Sequence, residues 1–182
     1  MQDIARLIFI DGVVPLWIAA GFADWACHRR TAIERTSGLP ENVFHWVLCV
    51  QAGLVIGAVA LLEPTAAVFA GIALLWLAHE VATWIELRYT VRLREVRPIE
   101  QMVHSFMEIL PLVALGVLAV AHWDAVAAGD FGLRWKAEPW PAANLWGIGI
   151  AAALFNALPL GEETLRCWRV ALTPALSRRE RG

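Results

Sequence analysis

Charged residues are scarce in this chain: Asp, Glu, Lys and Arg together make up 18% of its 182 residues. A soluble domain carries nearer a quarter, and a content of 59% hydrophobic residues would leave too much apolar surface facing water. The net charge of −2 also lacks the basic excess that is typical of nucleic-acid-binding proteins. The composition therefore predicts a lipid bilayer as the surrounding medium and no nucleic acid as a partner.

Cysteine is rare as well, with Cys27, Cys49 and Cys167 forming neither a CxxC pair nor a disulfide framework. We interpret these three residues as small apolar side chains of the interior. The first residues lack a small-residue cleavage site after a short apolar core, so no cleavable signal peptide is expected.

Long apolar runs, by contrast, are abundant, and five of them reach the roughly 20 residues that a membrane-spanning helix needs. They cover residues 4–27, 43–62, 65–85, 102–122 and 142–160. Because lipid offers no partners for backbone polar groups, such a chain is predicted to be all-α. We expect an all-α integral membrane protein with one domain, residues 1–171, in which four helices form an up-down metal-binding bundle. Residues 172–182 are predicted to be a flexible tail.

Basic residues are distributed unevenly among the connections between these runs. Residues 28–42, residues 87–100 and the segment after residue 160 carry 12 of the 15 Lys and Arg residues. All three segments fall on one side of the membrane when five spans alternate in direction, and the positive-inside rule places that side in the cytoplasm. The expected location is a bacterial inner membrane, with the N-terminus outside and the C-terminus in the cytoplasm.

Four of the five histidines lie close to carboxylates at helical spacings. The groups are Asp24 with His28, Glu41 with His45, His79 with Glu86, and Glu100 with His104 and Glu108. Spacings of four and seven residues place side chains on one face of a helix. The up-down order of the spans also brings all four groups to one level, near the cytoplasmic ends of the helices.

Acidic side chains at this depth need a compensating charge. A carboxylate at the centre of a bilayer costs about 2.5–3.5 kcal/mol, and several together repel one another. Divalent cations remove both costs, and helix bundles commonly house such ions between facing helices. Histidine with carboxylate suits iron, manganese or zinc. We predict two metal ions, iron first and zinc or manganese as alternatives, bound by the nine residues named above.

Two further acids are candidates for orienting a ligand or acting as a base. Glu34 lies off the face of Asp24 and His28, and its alternative partners are Arg30 and Arg35. Glu80 is adjacent to His79, so the two cannot both face inward equally.

The ligand plan resembles that of membrane di-iron enzymes, namely fatty-acyl hydroxylases, desaturases and alternative-oxidase-like proteins. The resemblance covers residues 24–108 and concerns ligand types, because the spacing here is ExxxH rather than ExxH, and the HxxxH and HxxHH boxes are absent. The segments DWACHRR, AHEVATWIE and RPIEQMVHSFMEILP look like parts of a bacterial multi-pass membrane-protein family.

This resemblance implies a di-iron oxidoreductase acting on a lipid, an acyl chain or a quinol that is reached from the cytoplasmic leaflet. An electron-donor protein would be a further partner, and the chain could form a homo-oligomer. The alternatives are a zinc-dependent lipid hydrolase, with Glu34 or Glu80 as base, and a non-enzymatic metal- or haem-handling protein. The fifth span has no acid or histidine between Ala142 and Leu160, so we expect it to serve packing or an oligomer contact.

Overall fold

The computed structural model describes residues 2–179, with side chains described for residues 4–172. Helix accounts for 83% of the structure, and five helices within the described residues are long and apolar enough to cross a membrane, which confirms the predicted all-α membrane fold. We label them α1 to α5. Their membrane-crossing bounds are Ile4–Thr31, Gly38–Leu61, Ala66–Thr90, Pro98–Ala121 and Ala142–Leu172.

The first and last of these helices each contain a π-helical stretch. In α1, π-helix Ile8–Val13 separates the α-helical segments Gln2–Leu7 and Val14–Thr31. In α5, π-helix Ala153–Ala157 separates Ala142–Ala152 from Leu158–Arg179. Both stretches lie just before a proline, Pro15 or Pro159. Proline has no N–H for the carbonyl four residues earlier, and a wider local turn accommodates that missing bond.

The helices form a ring rather than a row. Helix α1 packs against α4, α4 against α3, α3 against α2, and α5 fills the place between α2 and α1. The half of the ring nearer the α2–α3 connection holds the apolar core, where side chains such as Phe9, Val59 and Phe69 are buried. The polar residues singled out in the sequence lie in the other half, next to the arginine-rich connections. We call this half the arginine-rich end.

Short connections at the arginine-rich end hold neighbouring helices close together. Helix α1 stops at Ala32, whose φ of 52° is left-handed, and a 3-10 turn at Ile33–Arg35 leads to Gly38 at the start of α2. Residues 91–97 join α3 to α4, which begins at Pro98, a residue well suited to the first helical turn. At the opposite end a short helix, Trp123–Ala127, precedes an irregular segment leading to α5.

The observed helices extend further toward the arginine-rich end than the apolar runs predicted. Helix α1 continues to Thr31, α2 starts at Gly38, α3 continues to Thr90 and α4 starts at Pro98. The predicted spans left out His28, Glu41, Glu86 and Glu100, although these residues are helical. Helix α5 likewise continues through Arg179, so the predicted tail is helical at residues 172–179, and residues 180–182 lie outside the described part.

Candidate metal centre

Buried polar residues from all five helices meet at the arginine-rich end. Each contributing side chain is less than 10% exposed, and five of the residues are carboxylates. The members are Asp24 and His28 of α1, Glu41, Asn42 and His45 of α2, His79 and Glu86 of α3, Glu100 and His104 of α4, and Glu163 of α5. We call this set the His/carboxylate cluster. The helix faces predicted from sequence therefore do converge, and a fifth helix joins them.

At the centre of the cluster, the imidazole rings of His28 and His45 are stacked. Their centroids are 4.3 Å apart and their planes differ by 10°. Glu163 lies at one edge of the stack, with its Oε1 accepting a hydrogen bond from His45 Nδ1 at 2.7 Å and its Oε2 3.3 Å from His28 Nδ1. Asn42 Nδ2 donates a 2.9 Å hydrogen bond to the same carboxylate and fixes its orientation. A carboxylate that binds Nδ1 directs the opposite nitrogen, Nε2, toward a metal.

The Nε2 atoms of both rings point toward carboxylates without making hydrogen bonds to them. His28 Nε2 lies 3.4 Å from Asp24 Oδ1, 3.4 Å from Glu100 Oε1 and 3.9 Å from Glu41 Oε1. His45 Nε2 lies 3.5 Å from Glu86 Oε1 and 4.0 Å from Glu41 Oε1.

The three shortest of these separations, 3.4–3.5 Å, are close to the edges of a coordination polyhedron. Two ligand atoms that are each about 2.1 Å from one ion lie roughly 3.0–3.4 Å apart in octahedral or tetrahedral geometry. In the part of the chain that the structure describes, three groups of possible ligand atoms lie within 4.8 Å of one another: Asp24 with His28 and His45, His28 with Glu100 and His104, and Glu41 with His45 and Glu86. Glu41 Oε1 lies nearly equally far from both Nε2 atoms, so this carboxylate could bridge two ions.

Charge also matches two divalent ions. Five buried carboxylates and the single guanidinium of Arg94 leave a formal charge of −4 when the histidines are neutral. Protonating all four cluster histidines would cancel the same charge. That alternative stacks two imidazolium cations at 4.3 Å, where like charges repel strongly in a poorly polarisable interior.

Arg94 is a residue of the site that sequence reasoning missed. It lies in the connection between α3 and α4, where the sequence assigned its charge to membrane topology, yet its side chain is only 4% exposed. Its guanidinium forms ion pairs with both Glu41 and Glu100. Burial lowers the pKa of Arg94, but hydrogen bonds to Glu100 and Glu41 outweigh burial and hold this pKa above its usual value. Arg94 therefore remains a fixed positive charge at the rim of the cluster.

Glu163 is the second missed residue, and it corrects the expectation that the fifth helix serves only packing or an oligomer contact. The predicted span stopped at Leu160, three residues short of it. A signal was present in the sequence: Asn156, Leu160, Glu163 and Cys167 recur at helical spacing, and the last three of these are buried. Thr164, which follows Glu163 in the sequence, accepts a 2.9 Å hydrogen bond from Trp46 Nε1, and this bond joins α5 to α2.

The remaining predicted residues occupy less central positions. His104 Nε2 is within hydrogen-bond distance, 2.9 Å, of Asp24 Oδ1. His79 is buried and Glu108 half-buried, and both line a narrow pocket together with Asp24, Glu86 and His104, but neither belongs to the three close ligand groups found among the described residues. Their assignment as ligands stays a prediction.

The two candidate bases lie away from the cluster centre. Glu34 pairs with Arg166 of α5 rather than with Arg30 or Arg35, and so joins the 3-10 turn to α5. Glu80 is half-buried near Trp76 and is not among the residues that line the pocket of His79 and Glu108.

An apolar cavity of about 400 Å³ opens from the cluster toward the middle of the membrane span. Asp24, His28, His45, His79 and Glu163 form its polar end. Its walls come mainly from small and apolar side chains of α1, α2 and α5, including Trp17, Ile56, Gly53, Gly149 and Ala153. Gly149 and Ala153 belong to the fifth span, for which packing or an oligomer contact was expected, and both line the cavity.

Comparison of the chain with protein-family models, with curated proteins and with solved structures finds no match. The candidate function therefore depends on the geometry and chemistry of the cluster and its cavity.

Proposed function

We propose that this chain is a membrane-embedded oxidoreductase with two metal ions, iron in both positions, that acts on a molecule with an apolar chain. The observation that carries the proposal is the paired arrangement of His28 and His45. Glu163 is hydrogen-bonded to Nδ1 of His45 and lies 3.3 Å from Nδ1 of His28, and both rings direct an Nε2 without a hydrogen-bond partner into a ring of buried carboxylates.

The residues divide naturally between two adjacent ions. His28, Asp24 and Glu100, with His104 beside them, would hold one ion, and His45 and Glu86 would hold the other. Glu41 would bridge the two. Nitrogen and carboxylate ligands without thiolate suit iron or manganese, and iron in such a site supplies redox chemistry with oxygen.

The protein's own groups would prepare the site for this chemistry. The negative charge of Glu163 beside both Nδ1 atoms would favour the tautomers that carry the proton on Nδ1 and leave Nε2 free. Arg94 neutralises part of the acidic charge and limits access of water at the arginine-rich end. The apolar cavity lets a hydrocarbon chain approach the polar cluster while excluding water.

The alternatives fit the geometry less well. A zinc hydrolase needs a base beside the reacting group, and neither Glu34 nor Glu80 is among the residues lining the cavity. A haem held between two histidines needs its planar ring between them, whereas the rings of His28 and His45 stack at 4.3 Å.

Metal content tests the proposal directly. Inductively coupled plasma mass spectrometry on detergent-purified protein is expected to find about two irons per chain. His45→Ala and His104→Ala should lose iron, whereas His122→Ala, at the opposite end of the bundle, should keep it. Stoichiometric zinc with full zinc-dependent activity would favour the hydrolase. Folded protein without any bound metal would contradict a metal centre altogether.

A further inference from the structure

The cavity beside the His/carboxylate cluster has the size and shape for one hydrocarbon chain. We propose that it binds a single-chain amphiphile, with its polar head at the cluster and its chain extending toward the middle of the membrane. The reacting atoms would then belong to the head or to the first carbons of the chain. The chemical step rests on the proposed function, but the binding of the chain does not.

The dimensions of the cavity select one chain. Its lining runs along α1 from His28 to Trp17, eleven residues apart, which corresponds to about 17 Å of helix. If a methylene occupies roughly the 30 Å³ of a water molecule, then 400 Å³ holds about 13 carbons. A lipid with two long chains would need about twice that volume or more, so a fatty acyl chain or the tail of a quinol fits better.

The cavity opens sideways to lipid between α2 and α5. The part of α5 nearer the opposite end, Ala142–Ala157, contains no buried residue and packs mainly against α1. Its contacts with α2 are concentrated from Leu158 onward. Gly53 of α2 and Gly149 of α5 line the cavity and are exposed. Apart from the local backbone of their own helices, no described atom lies within 4 Å of the position that a Cβ would occupy at either glycine. A chain in the bilayer can therefore slide between these two helices.

Orientation follows from the depth of the cluster. Glu41 and Glu100 lie in the first turn of α2 and α4, and Glu86 lies four residues before the end of α3, so the cluster is close to the membrane surface at the arginine-rich end. A lipid in the adjacent leaflet carries its polar head at this level and its chain toward the midplane. Chemistry in the middle of the chain would require the reactive groups to lie deeper.

Photo-crosslinking can measure both binding and orientation. The probes are dodecanoic acid and a short-chain quinol, each with a diazirine either near the head or at the chain end, added to detergent-purified protein stripped of metal with EDTA. Head-end probes are expected to label peptides containing Leu48 and Cys49, and chain-end probes should label peptides containing Trp17 or Ile56. Whichever of the two compounds labels the protein at lower concentration identifies the head group.

Cavity-filling variants provide the control on specificity. Gly53→Leu and Gly149→Leu should bind the twelve-carbon probe about 15- to 60-fold more weakly, because each of two or three excluded methylenes is worth roughly fourfold in affinity. Gly116→Leu is the matched control, since Gly116 of α4 is also exposed and uncrowded but does not line the cavity.

Equal binding by Gly53→Leu, Gly149→Leu and Gly116→Leu, or labelling confined to the outer surfaces of α3 and α4, would overturn the proposal. So would preferential labelling by a two-chain phospholipid probe. Because the protein is metal-free throughout, a wrong metal assignment leaves the labelling pattern intact, and failure of the two proposals can be told apart.

Discussion

Replacing Glu163 with Gln removes one negative charge and keeps the shape of the side chain. In the native protein Glu163 Oε1 already accepts hydrogen bonds from His45 Nδ1 at 2.7 Å and from Asn42 Nδ2 at 2.9 Å. The amide oxygen of Gln can take over both bonds, which places its NH2 group where Oε2 now lies, 3.3 Å from His28 Nδ1. An N–H donor at this point stabilises the tautomer of His28 with its proton on Nε2, and that nitrogen can no longer bind a metal.

We expect the variant to lose selectively the metal ion that His28 would bind. Replacing the residue that hydrogen-bonds to a metal-binding histidine typically lowers metal affinity about 10- to 100-fold. The loss of charge acts in the same direction, because a formal charge of −4 becomes −3. Competition with a chelator of known affinity, followed by inductively coupled plasma mass spectrometry, measures the change. Circular dichroism and gel filtration in the same detergent check that the variant is folded.

Glu162→Gln is the matched control for this experiment. Glu162 is the preceding residue on α5, its side chain is 35% exposed, and it pairs with Arg29 at the surface rather than with the histidines. Its substitution should leave metal affinity unchanged. If Glu163→Gln binds metal as tightly as Glu162→Gln, the assignment of Glu163 as the residue that orients His28 and His45 is wrong.

Two further substitutions test the packing around the centre. Arg94→Gln leaves Glu41 and Glu100 without their cation, so the metal-free protein should lose about 3–5 kcal/mol of stability. The loss is measured as a lower Tm in EDTA, and added divalent metal should restore the Tm. Arg92→Gln, at an exposed position, is the control, and an unchanged Tm of Arg94→Gln would contradict the role of Arg94. Gly21→Ala places a Cβ 2.2 Å from Asn156 Nδ2 and displaces the side chain that donates to the Ile18 carbonyl at 3.2 Å. This should cost about 1 kcal/mol in the native background and almost nothing in Asn156→Ala, and equal costs in both backgrounds would refute the contact.

The parts of the site that helical periodicity governs could be predicted from sequence. Asp24 with His28 and Glu41 with His45 are four residues apart, and this spacing alone places each pair on one face. The short connections then require neighbouring helix ends to meet at one level. The fold and the convergence of these faces follow from such local rules, which is why both agree with the structure.

Arg94 and Glu163 depend on information of another kind. Arg94 reaches the cluster from a connection, where no periodicity fixes the direction of a side chain, and its sequence context among other arginines favoured a topological role. Glu163 was not predicted as a site residue because the hydropathy-based span ended at Leu160, just before the charged residues that follow it. Charged residues inside a helix bundle lower the local hydropathy, so a predicted span ends at the positions that form a polar site. A predicted span should therefore be extended as long as residues at helical spacing continue to form one buried face.

The position of α5 in the ring has a consequence for how the protein is made. During synthesis α1 to α4 emerge first, and α5, the last of the five, must enter between the first two. Until it does, His28 and His45 lack the carboxylate that aligns them, and the side of the cavity facing α5 is open lipid. A ribosome-bound intermediate would therefore hold most of the ligands yet bind metal poorly. Under the proposed function, metal loading would be a late step of biogenesis, and a chain stalled before α5 would be protected from acquiring a reactive ion in an unfinished site.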